Sequence, residues 1–123
     1  QLNAIQREKY KNDISYRLIL GLRNRQNKIL KGSKSTTTSL GCSGDELRIY
    51  IESLFDENMT WDNRWCIGKD IYTHWSIDHI IPLSRLNDEG ITESEIDKIL
   101  HYSNLRPIYH YENLTKGCRI LED

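Results

Sequence analysis

The sequence predicts an α+β fold with a mainly helical N-terminal half, followed by two short strands that have a short helix between them and a last helix after them. Apolar residues recur at three- and four-residue spacing up to about residue 56, which is typical of amphipathic helices. After residue 72, two strand-like runs flank a segment with a helix-capping signal. A chain of 123 residues is expected to form one domain. We divide it into a basic helical segment with a linker (1–40), a helix and loop (41–72) and a strand–strand–helix core (73–121).

The first predicted element is a helix from about residue 4 to residue 31, either continuous or divided near Gly21. Four apolar residues form a narrow stripe at helical spacing: Ile14, Leu18, Leu22 and Ile29. Gly32 follows the stripe and is expected to end the helix, because a glycine just after a periodic segment is typical of a helix C-terminus.

Charge is unevenly distributed along the chain, although the net charge is only −1. No acidic residue lies between Asp13 and Asp45. Six basic residues lie there: Arg17, Arg23, Arg25, Lys28, Lys31 and Lys34. A block of one sign is typical of a surface that binds a polyanion, but it also occurs on a helix face that meets only solvent. Charge alone favours neither interpretation.

A second helix is predicted at about 44–56, after a Gly-, Ser- and Thr-rich linker or ordered loop at 32–44. Ser43 and Glu46 match a capping box, in which each side chain satisfies a free backbone amide. Five residues are predicted to face inward: Leu47, Tyr50, Ile51, Leu54 and Phe55.

The second half begins with aromatic and turn residues at 59–72 that have no clean period and are expected to form a loop. A strand is predicted after it, at about 72–81. The three tryptophans are Trp61, Trp65 and Trp75. We expect them in the core rather than on a surface where nucleic-acid bases stack, because only burial follows from their context.

Three further elements complete the predicted fold. Thr92 and Glu95 form a second capping box, which starts a short helix that ends near Leu100. A strand is predicted at 104–109 and a last helix from about 111 to 121. Four residues of this helix are predicted to face inward: Tyr111, Leu114, Cys118 and Leu121.

Composition argues against several classes of protein. No apolar run approaches the ~20 residues that a membrane-spanning helix needs, so no membrane partner is expected. Cys42, Cys66 and Cys118 are odd in number and widely spaced, which favours an intracellular, reduced protein without structural zinc. The start, QLNAIQREKYKND, has neither an initiator Met nor a signal core, which is more typical of part of a longer chain. The oligomeric state stays open.

Three polar clusters lie in the second half: SIDHIIP at 76–82, SNLRP at 103–107 and YENLTKG at 111–117. They fall on a strand, a strand and a helix in the predicted order. The patterns D-H-I-x-P, N-L-x-P and E-N-L-x-K-G resemble the motif of the HNH endonucleases, in the ββα-metal superfamily, over about 73–117. Upstream, the basic helix, the KS-T-LGCS-EL-YIESLF run and MTWDN also resemble the flank that accompanies this motif in phage and bacterial members.

The resemblance implies a two-stranded ribbon packed on a helix, with a divalent metal ion where these three elements meet. His79 matches the general base, and Asp78 and Asn113 match the two metal ligands. Asn104 matches the middle asparagine of the motif, which fixes the loop that joins the strands. The implied activity is metal-dependent hydrolysis of phosphodiester bonds in DNA by an endonuclease.

Elementary chemistry agrees with these residue types. Water that attacks a phosphodiester needs a base with a pKa near neutrality, and among unperturbed side chains only histidine provides one. The transition state and leaving oxygen carry extra negative charge, which a hard divalent cation offsets. Carboxylate and amide oxygens are ligands for Mg²⁺, with Mn²⁺ as the alternative, rather than for zinc.

Geometry and departures from the family pattern qualify the predicted site. Neighbouring strand residues point to opposite faces, so Asp78 and His79 can share a site only if the strand ends or bulges there. Many family members have His where this chain has Asn113, and many with this flank have His where it has Ser76. His110 lies one helical turn before Asn113 and is an alternative ligand.

The resemblance also favours nucleic-acid contacts for the six basic residues of the first segment. Such contacts follow the phosphate backbone and give affinity, not sequence specificity. Arg106 and Lys116 bracket the predicted site and are candidates for phosphate contacts, although exposed basic residues are also ordinary there. Two alternatives remain: a nucleic-acid-binding module with an inactive HNH-like core, and a toxin nuclease with a dedicated inhibitor, which the near-neutral charge disfavours.

Overall fold

The computed structural model describes residues 3–5, 13–29 and 39–117. Within these ranges the chain is α+β, as predicted, with a two-stranded antiparallel sheet. The elements are α1 (Ile14–Asn27), α2 (Gly44–Ser53), β1 (Trp75–His79), α3 (Glu93–Leu100), β2 (Leu105–Tyr109) and α4 (His110–Lys116). No helix in these ranges is long and apolar enough to cross a membrane.

Helix α1 runs without interruption through Gly21, so the alternative of a break there is wrong. It begins at Ile14 and ends at Asn27, so the predicted helix from about residue 4 to residue 31 was too long. Asp13 caps its N-terminus in an extended conformation, and the Asp13 carboxylate accepts a hydrogen bond from the Tyr16 amide at 3.1 Å. Its buried face consists of Ser15, Leu18, Leu22 and Gln26. Three predicted residues lie outside the described ranges: Lys31, Gly32 and Lys34. The predicted linker at 32–44 lies outside them up to residue 38.

Helix α2 begins with the predicted capping box. The Ser43 amide donates to Glu46 Oε1 at 2.9 Å, and the Glu46 amide donates to Ser43 Oγ at 3.2 Å. Leu47 and Ile51 are fully buried, as predicted. The helix ends at Ser53, however, and Leu54 is 44% exposed, so its predicted inward position is wrong.

Helices α1 and α2 approach closely at Gly44. A Cβ on this residue would lie 3.1 Å from Ile19 Cγ1 and 3.2 Å from the Ser15 carbonyl oxygen. The Ser15 hydroxyl also donates to the Asp45 carboxylate across the same contact. The absent side chain therefore allows the N-terminus of α2 to pack against α1.

Trp75 lies at the centre of the main core and is fully buried. Its ring centroid is 5.0 Å from that of Phe55 and 5.4 Å from that of Trp61, and its indole N–H donates to the Thr60 carbonyl at 2.6 Å. The core position is confirmed for Trp75, and Trp61 packs against the core while staying partly exposed. Trp65 instead stacks on His110.

Strands β1 and β2 pair with Asp78 opposite Arg106 and His79 opposite Leu105. Both strands lie within their predicted ranges, but β1 is shorter than predicted, because residues 70–74 form a turn. The chain leaves the ladder after His79. Asp78 and His79 can share a site only if the strand ends or bulges there, and β1 does end at His79.

The segment between the strands contains a short 3₁₀ helix (Leu83–Asn87) and α3. Thr92 and Glu95 form the predicted capping box of α3, which ends at Leu100. Leu86, Ile99 and Leu100 form a small apolar cluster separate from the main core. This cluster supports the connection that follows β1.

Helix α4 packs with a polar face inward, contrary to prediction. Tyr111 is 39% exposed and Leu114 is 60% exposed, whereas Lys116 is 1% exposed. His110 and Asn113 are half-buried on the side of Lys116, since they precede it at three-residue spacing. Cys118 and Leu121 lie outside the described residues. The inward face of α4 therefore carries the polar groups that the site uses.

Candidate functional site

A cavity of about 300 Å³ lies where β1, α4 and α1 meet. Asp78, His79 and Asn113 line it together, so residues from the first and third sequence clusters converge. Arg25 of α1 also lines it, and its Nη1 donates to the Ile77 carbonyl oxygen at 3.1 Å. One carboxylate, one imidazole, one amide and one guanidinium thus border the same space.

Asp78 is 4% exposed and accepts contacts from two cations. Lys116 Nζ lies 2.7 Å from its Oδ1, and Arg106 Nε lies 3.0 Å from its Oδ2. The Arg106 contact crosses the ladder, because the two residues are register partners. The carboxylate is therefore held from both sides and cannot rotate freely.

Lys116 is buried beneath the site rather than displayed on its surface. Besides Asp78, its ammonium group donates to the carbonyl oxygens of His79 and Ile80, the latter at 3.1 Å. Only 1% of the Lys116 surface is exposed, which argues against the predicted phosphate contact. Lys116 instead links α4 to the end of β1. The sequence signal that could have revealed this is its position one turn after Asn113 on the polar face of α4.

His79 is held as a neutral imidazole. Burial, together with the positive charges of Arg25 and Lys116, lowers the pKa of His79 to about 3. Each cause disfavours the protonated ring, because both desolvation and neighbouring cations penalise an added positive charge. At neutral pH the ring can accept a proton.

Asn113 is oriented by Ser76, which is 7% exposed. Asn113 Nδ2 donates to Ser76 Oγ at 3.0 Å and makes a longer contact of 3.5 Å with the Ile77 carbonyl oxygen. Within the described ranges no hydrogen bond reaches the Asn113 amide oxygen, which leaves this oxygen as an open acceptor. Sequence reasoning noted Ser76 only as a departure and missed this contact.

His110 belongs to the same polar network. Its Nδ1 lies 3.1 Å from Ser76 Oγ, and its ring stacks on Trp65 with centroids 3.7 Å apart and planes 7° from parallel. His110 does not line the cavity. Its position therefore favours a role in holding Ser76 and Trp65 over the alternative role of metal ligand.

Asn104 lies behind the cavity, where it holds the chain that leaves β1. Its Oδ1 accepts from the Ile81 amide at 2.8 Å, and its Nδ2 donates to the carbonyl oxygens of Ile81 and Ile99 at 3.0 and 2.8 Å. These bonds tie the two ends of the connection together. Asn104 is thus a positioning residue and does not line the cavity.

The donor set suits a hard divalent ion. An ionised carboxylate offers about four lone-pair directions, and the ion pairs with Lys116 and Arg106 occupy one on each Asp78 oxygen. The Asn113 amide oxygen adds a second oxygen donor. Within the described ranges, no three His, Cys, Asp or Glu side chains converge as a metal site. Asp78 and Asn113 supply a carboxylate and an amide to the cavity, and Ser84 also lines it.

The predicted basic residues of α1 lie in different surroundings. Arg25 lines the cavity just described, and Arg17 lines a second one. Arg23 and Lys28 are exposed, and so is much of the Arg25 side chain. With Arg25, Arg106 and Lys116 near a single carboxylate, Asp78, the site carries excess positive charge, which attracts anions.

The chain is similar to two uncharacterized proteins of Acanthamoeba polyphaga mimivirus. It is 34% identical to one of them over 124 residues, which cover 98% of this chain and 51% of the relative. It is 36% identical to the other over 107 residues, which cover 85% of this chain and 43% of the relative. The chain therefore spans about half the length of these relatives. No family model matches the chain, and no solved structure matches it significantly.

Proposed function

We propose that this chain is a metal-dependent DNA endonuclease of the HNH type. The observation that carries the proposal is the convergence of Asp78, His79 and Asn113 on one cavity. Asn113 is more than thirty positions from the adjacent pair Asp78 and His79 in sequence, and the chemistry of the three residues is what phosphodiester hydrolysis requires. The order of the two strands and α4 supports the proposal, because the resemblance implies a two-stranded ribbon packed on a helix.

His79 acts as the general base in this proposal. Its neutral ring takes a proton from the water that attacks phosphorus. The low pKa of His79 makes it a weak base while the cavity holds only protein charges. The negative charge of a bound phosphodiester opposes the effect of Arg25 and Lys116 on this pKa, because a nearby anion favours the protonated ring.

Asp78 and Asn113 would hold a divalent cation, Mg²⁺ first and Mn²⁺ as the alternative. When bound, the ion supplies positive charge against the charge that develops on the phosphate and leaving oxygen. The excess positive charge around Asp78 opposes a free cation, so we expect the ion to bind firmly only together with substrate phosphate. Mg²⁺ is commonly bound in this way, through one or two carboxylates and the substrate.

Arg25 contacts the substrate phosphate in the proposed complex. Its guanidinium lies at the cavity wall and has further N–H donors besides the one given to Ile77. Arginine is suited to this role because its planar donors match phosphate oxygens. Ser76, His110 and Asn104 position the groups that do the chemistry and do not contact the substrate.

The test is nicking of supercoiled plasmid by the wild type and His79→Ala, each with Mg²⁺, Mn²⁺ or EDTA. We expect metal-dependent nicking by the wild type and a loss of at least ~100-fold in the variant, since general-base removal costs about that much. The matched control is His74→Ala, because His74 is half-buried and its ring contacts only Thr73 and the Asp70 carbonyl oxygen, within its own turn. Thermal melting checks that both variants fold.

DNA binding separates this proposal from the alternative of an inactive binding module. Binding that persists in His79→Ala, and that weakens with salt, is expected of the nuclease. Undiminished binding with no cleavage of varied DNA substrates by the wild type, with either metal, would favour the inactive module instead.

A further inference from the structure

A second cavity, of about 550 Å³, is lined by residues of α1 and of the segment 61–69. We call it the Trp65 cavity. Its lining includes Arg17, Arg64, Lys69, Trp61 and Trp65. Its volume is within the range of about 300–1,000 Å³ that is usual for small-molecule sites. The proposed cleavage chemistry uses none of these five residues.

The charge of the Trp65 cavity favours an anion. Arg17, Arg64 and Lys69 are opposed by one lining acid, Asp62, which leaves a net charge of +2. Arg17 Nε is buried and has no hydrogen-bond partner within the described residues. An unsatisfied buried donor is unfavourable, so a phosphate oxygen that accepted a hydrogen bond from this group would stabilise it.

The two tryptophans contribute apolar ring surface rather than polar groups. The Trp61 indole N–H donates to Glu52 at 2.8 Å, and that of Trp65 donates to the Lys69 carbonyl oxygen at 3.1 Å. One face of Trp65 is already covered by His110. The opposite face of this fixed ring is suited to stacking by a planar aromatic group, as nucleobases stack on aromatic side chains.

Helix α1 borders both the Trp65 cavity and the catalytic cavity, which is the one lined by Asp78, His79 and Asn113. Arg17 and Gly21 line the Trp65 cavity, and Arg25 lines the catalytic cavity. Arg17 and Arg25 are eight residues apart, a rise of about 12 Å along a helix. That span corresponds to three or four stacked nucleotides, at about 3.4 Å each.

We propose that the Trp65 cavity binds one unpaired nucleotide of the substrate strand. Its base stacks on Trp65, and its phosphate contacts Arg17, Arg64 and Lys69. The placement on a substrate strand rests on the proposed nuclease function. The consequence is a preference for DNA that is single-stranded a few nucleotides from the cleaved bond, since a paired base cannot enter a cavity of this kind.

The test measures binding of a short single-stranded oligothymidylate, in EDTA, by quenching of tryptophan fluorescence. Lys69→Gln removes one lining charge, and Gly21→Leu fills the cavity without removing any charge. The matched control is Lys98→Gln, because Lys98 is exposed on α3 and lines neither cavity. A blunt duplex of the same length is measured in parallel by anisotropy.

We expect Gly21→Leu to weaken oligothymidylate binding about tenfold, which is what stacking of one base contributes, and to weaken duplex binding far less. Lys69→Gln should lower the salt slope of oligothymidylate binding by about 0.7, the value for one phosphate contact. Lys98→Gln should change neither. Unchanged oligothymidylate binding in both cavity variants, or equal losses for single strand and duplex, would overturn the proposal.

These outcomes are independent of cleavage. If the wild type cuts no DNA with any metal while Gly21→Leu still loses oligothymidylate binding, the nucleotide site stands and the nuclease function fails. If the wild type nicks DNA and both cavity variants bind as it does, the nuclease function stands and the nucleotide site fails.

Discussion

Lys116 and Asp78 form a buried ion pair, in which Nζ lies 2.7 Å from Oδ1 and the two side chains are 1% and 4% exposed. The pair joins α4 to the end of β1. It therefore fixes the relative position of the two elements that carry Asn113 and His79. A pair of this kind contributes to the geometry of the site even where its net contribution to stability is small.

Removal of one partner of the pair should be strongly destabilising. In Lys116→Met the Asp78 carboxylate keeps Arg106 but loses its buried partner, and we expect a loss of about 3–5 kcal/mol in the free energy of unfolding. Urea denaturation at neutral pH measures this quantity. The control Lys98→Met, at an exposed position, should change it by less than about 0.5 kcal/mol.

The double variant Asp78→Asn, Lys116→Met separates charge from packing. If the buried charge causes the loss, the double variant should be more stable than the sum of the two single losses predicts, because neither charge is left alone. Strict additivity of the two losses would show that the ion pair is not the cause.

Ser76→Ala should impair catalysis more than stability. The change removes the acceptor that holds Asn113 Nδ2 at 3.0 Å and the partner of His110. We expect a loss of about 1 kcal/mol in stability, the usual value of one hydrogen bond. Nicking should fall about tenfold, and the Mg²⁺ concentration for half-maximal nicking should rise, as is typical when a group behind a metal ligand is removed.

The matched control for Ser76→Ala is Ser53→Ala, since the Ser53 hydroxyl is exposed and bonds only to the Tyr50 carbonyl oxygen. It should leave the nicking rate and its Mg²⁺ dependence unchanged. If Ser76→Ala lowers stability but leaves the Mg²⁺ dependence as in the wild type, Ser76 has only a structural role.

Local signals predicted the elements of this fold more reliably than their orientation. The capping boxes at Ser43 and Thr92 place helix starts correctly because their hydrogen bonds lie within four residues. The inward face of α4 was predicted wrongly, because apolar spacing favoured Tyr111 and Leu114. The buried groups of β1, Asp78 and Ser76, instead require polar partners, and this requirement is not visible in the sequence of α4 alone.

The candidate site was predicted in composition but not in its charge. The motifs indicated Asp78, His79 and Asn113, and the fold brings them to one cavity. The sequence did not predict that Lys116 and Arg106 both pair with Asp78, since such contacts depend on strand register and helix rotation. Arg25 could not be distinguished from its basic neighbours either, because its place at the cavity follows from how α1 packs.

Two glycine substitutions should have opposite effects on stability. At Gly21 a Cβ would meet only Arg64 Nη2, at 3.8 Å, which is an ordinary contact. Gly21→Ala should therefore stabilise the protein by about 0.5–1 kcal/mol, because glycine in a helix interior is less favourable than alanine by that amount. Gly44→Ala should destabilise it, since its Cβ would press on the Ser15 backbone. Thermal melting of both variants measures the contrast, and a stabilising Gly44→Ala would contradict the close approach of α1 and α2.

Stability should fall in mild acid because the half-buried His79 is held as a neutral ring. Its pKa is about 3 in the folded chain, against about 6.5 when unfolded, so below pH ~6.5 the unfolded chain binds one proton more. The contribution of His79 to the free energy of unfolding is thus fully present above pH ~6.5, and it is lost as the pH falls toward 3. The slope is at most about 1.4 kcal/mol per pH unit.

Urea denaturation in EDTA, from about pH 7 to about pH 5, tests this slope with His79→Gln as the matched variant. The pKa of His110 is also lowered, by burial and by Arg25, but its contribution is present in both proteins and cancels in their difference. We expect the difference in unfolding free energy between wild type and variant to change in favour of the variant as the pH falls. A difference that stays constant over this range would mean that the His79 ring takes up a proton in the folded chain as readily as in the unfolded one, and that it is not held neutral by Arg25, Lys116 and burial.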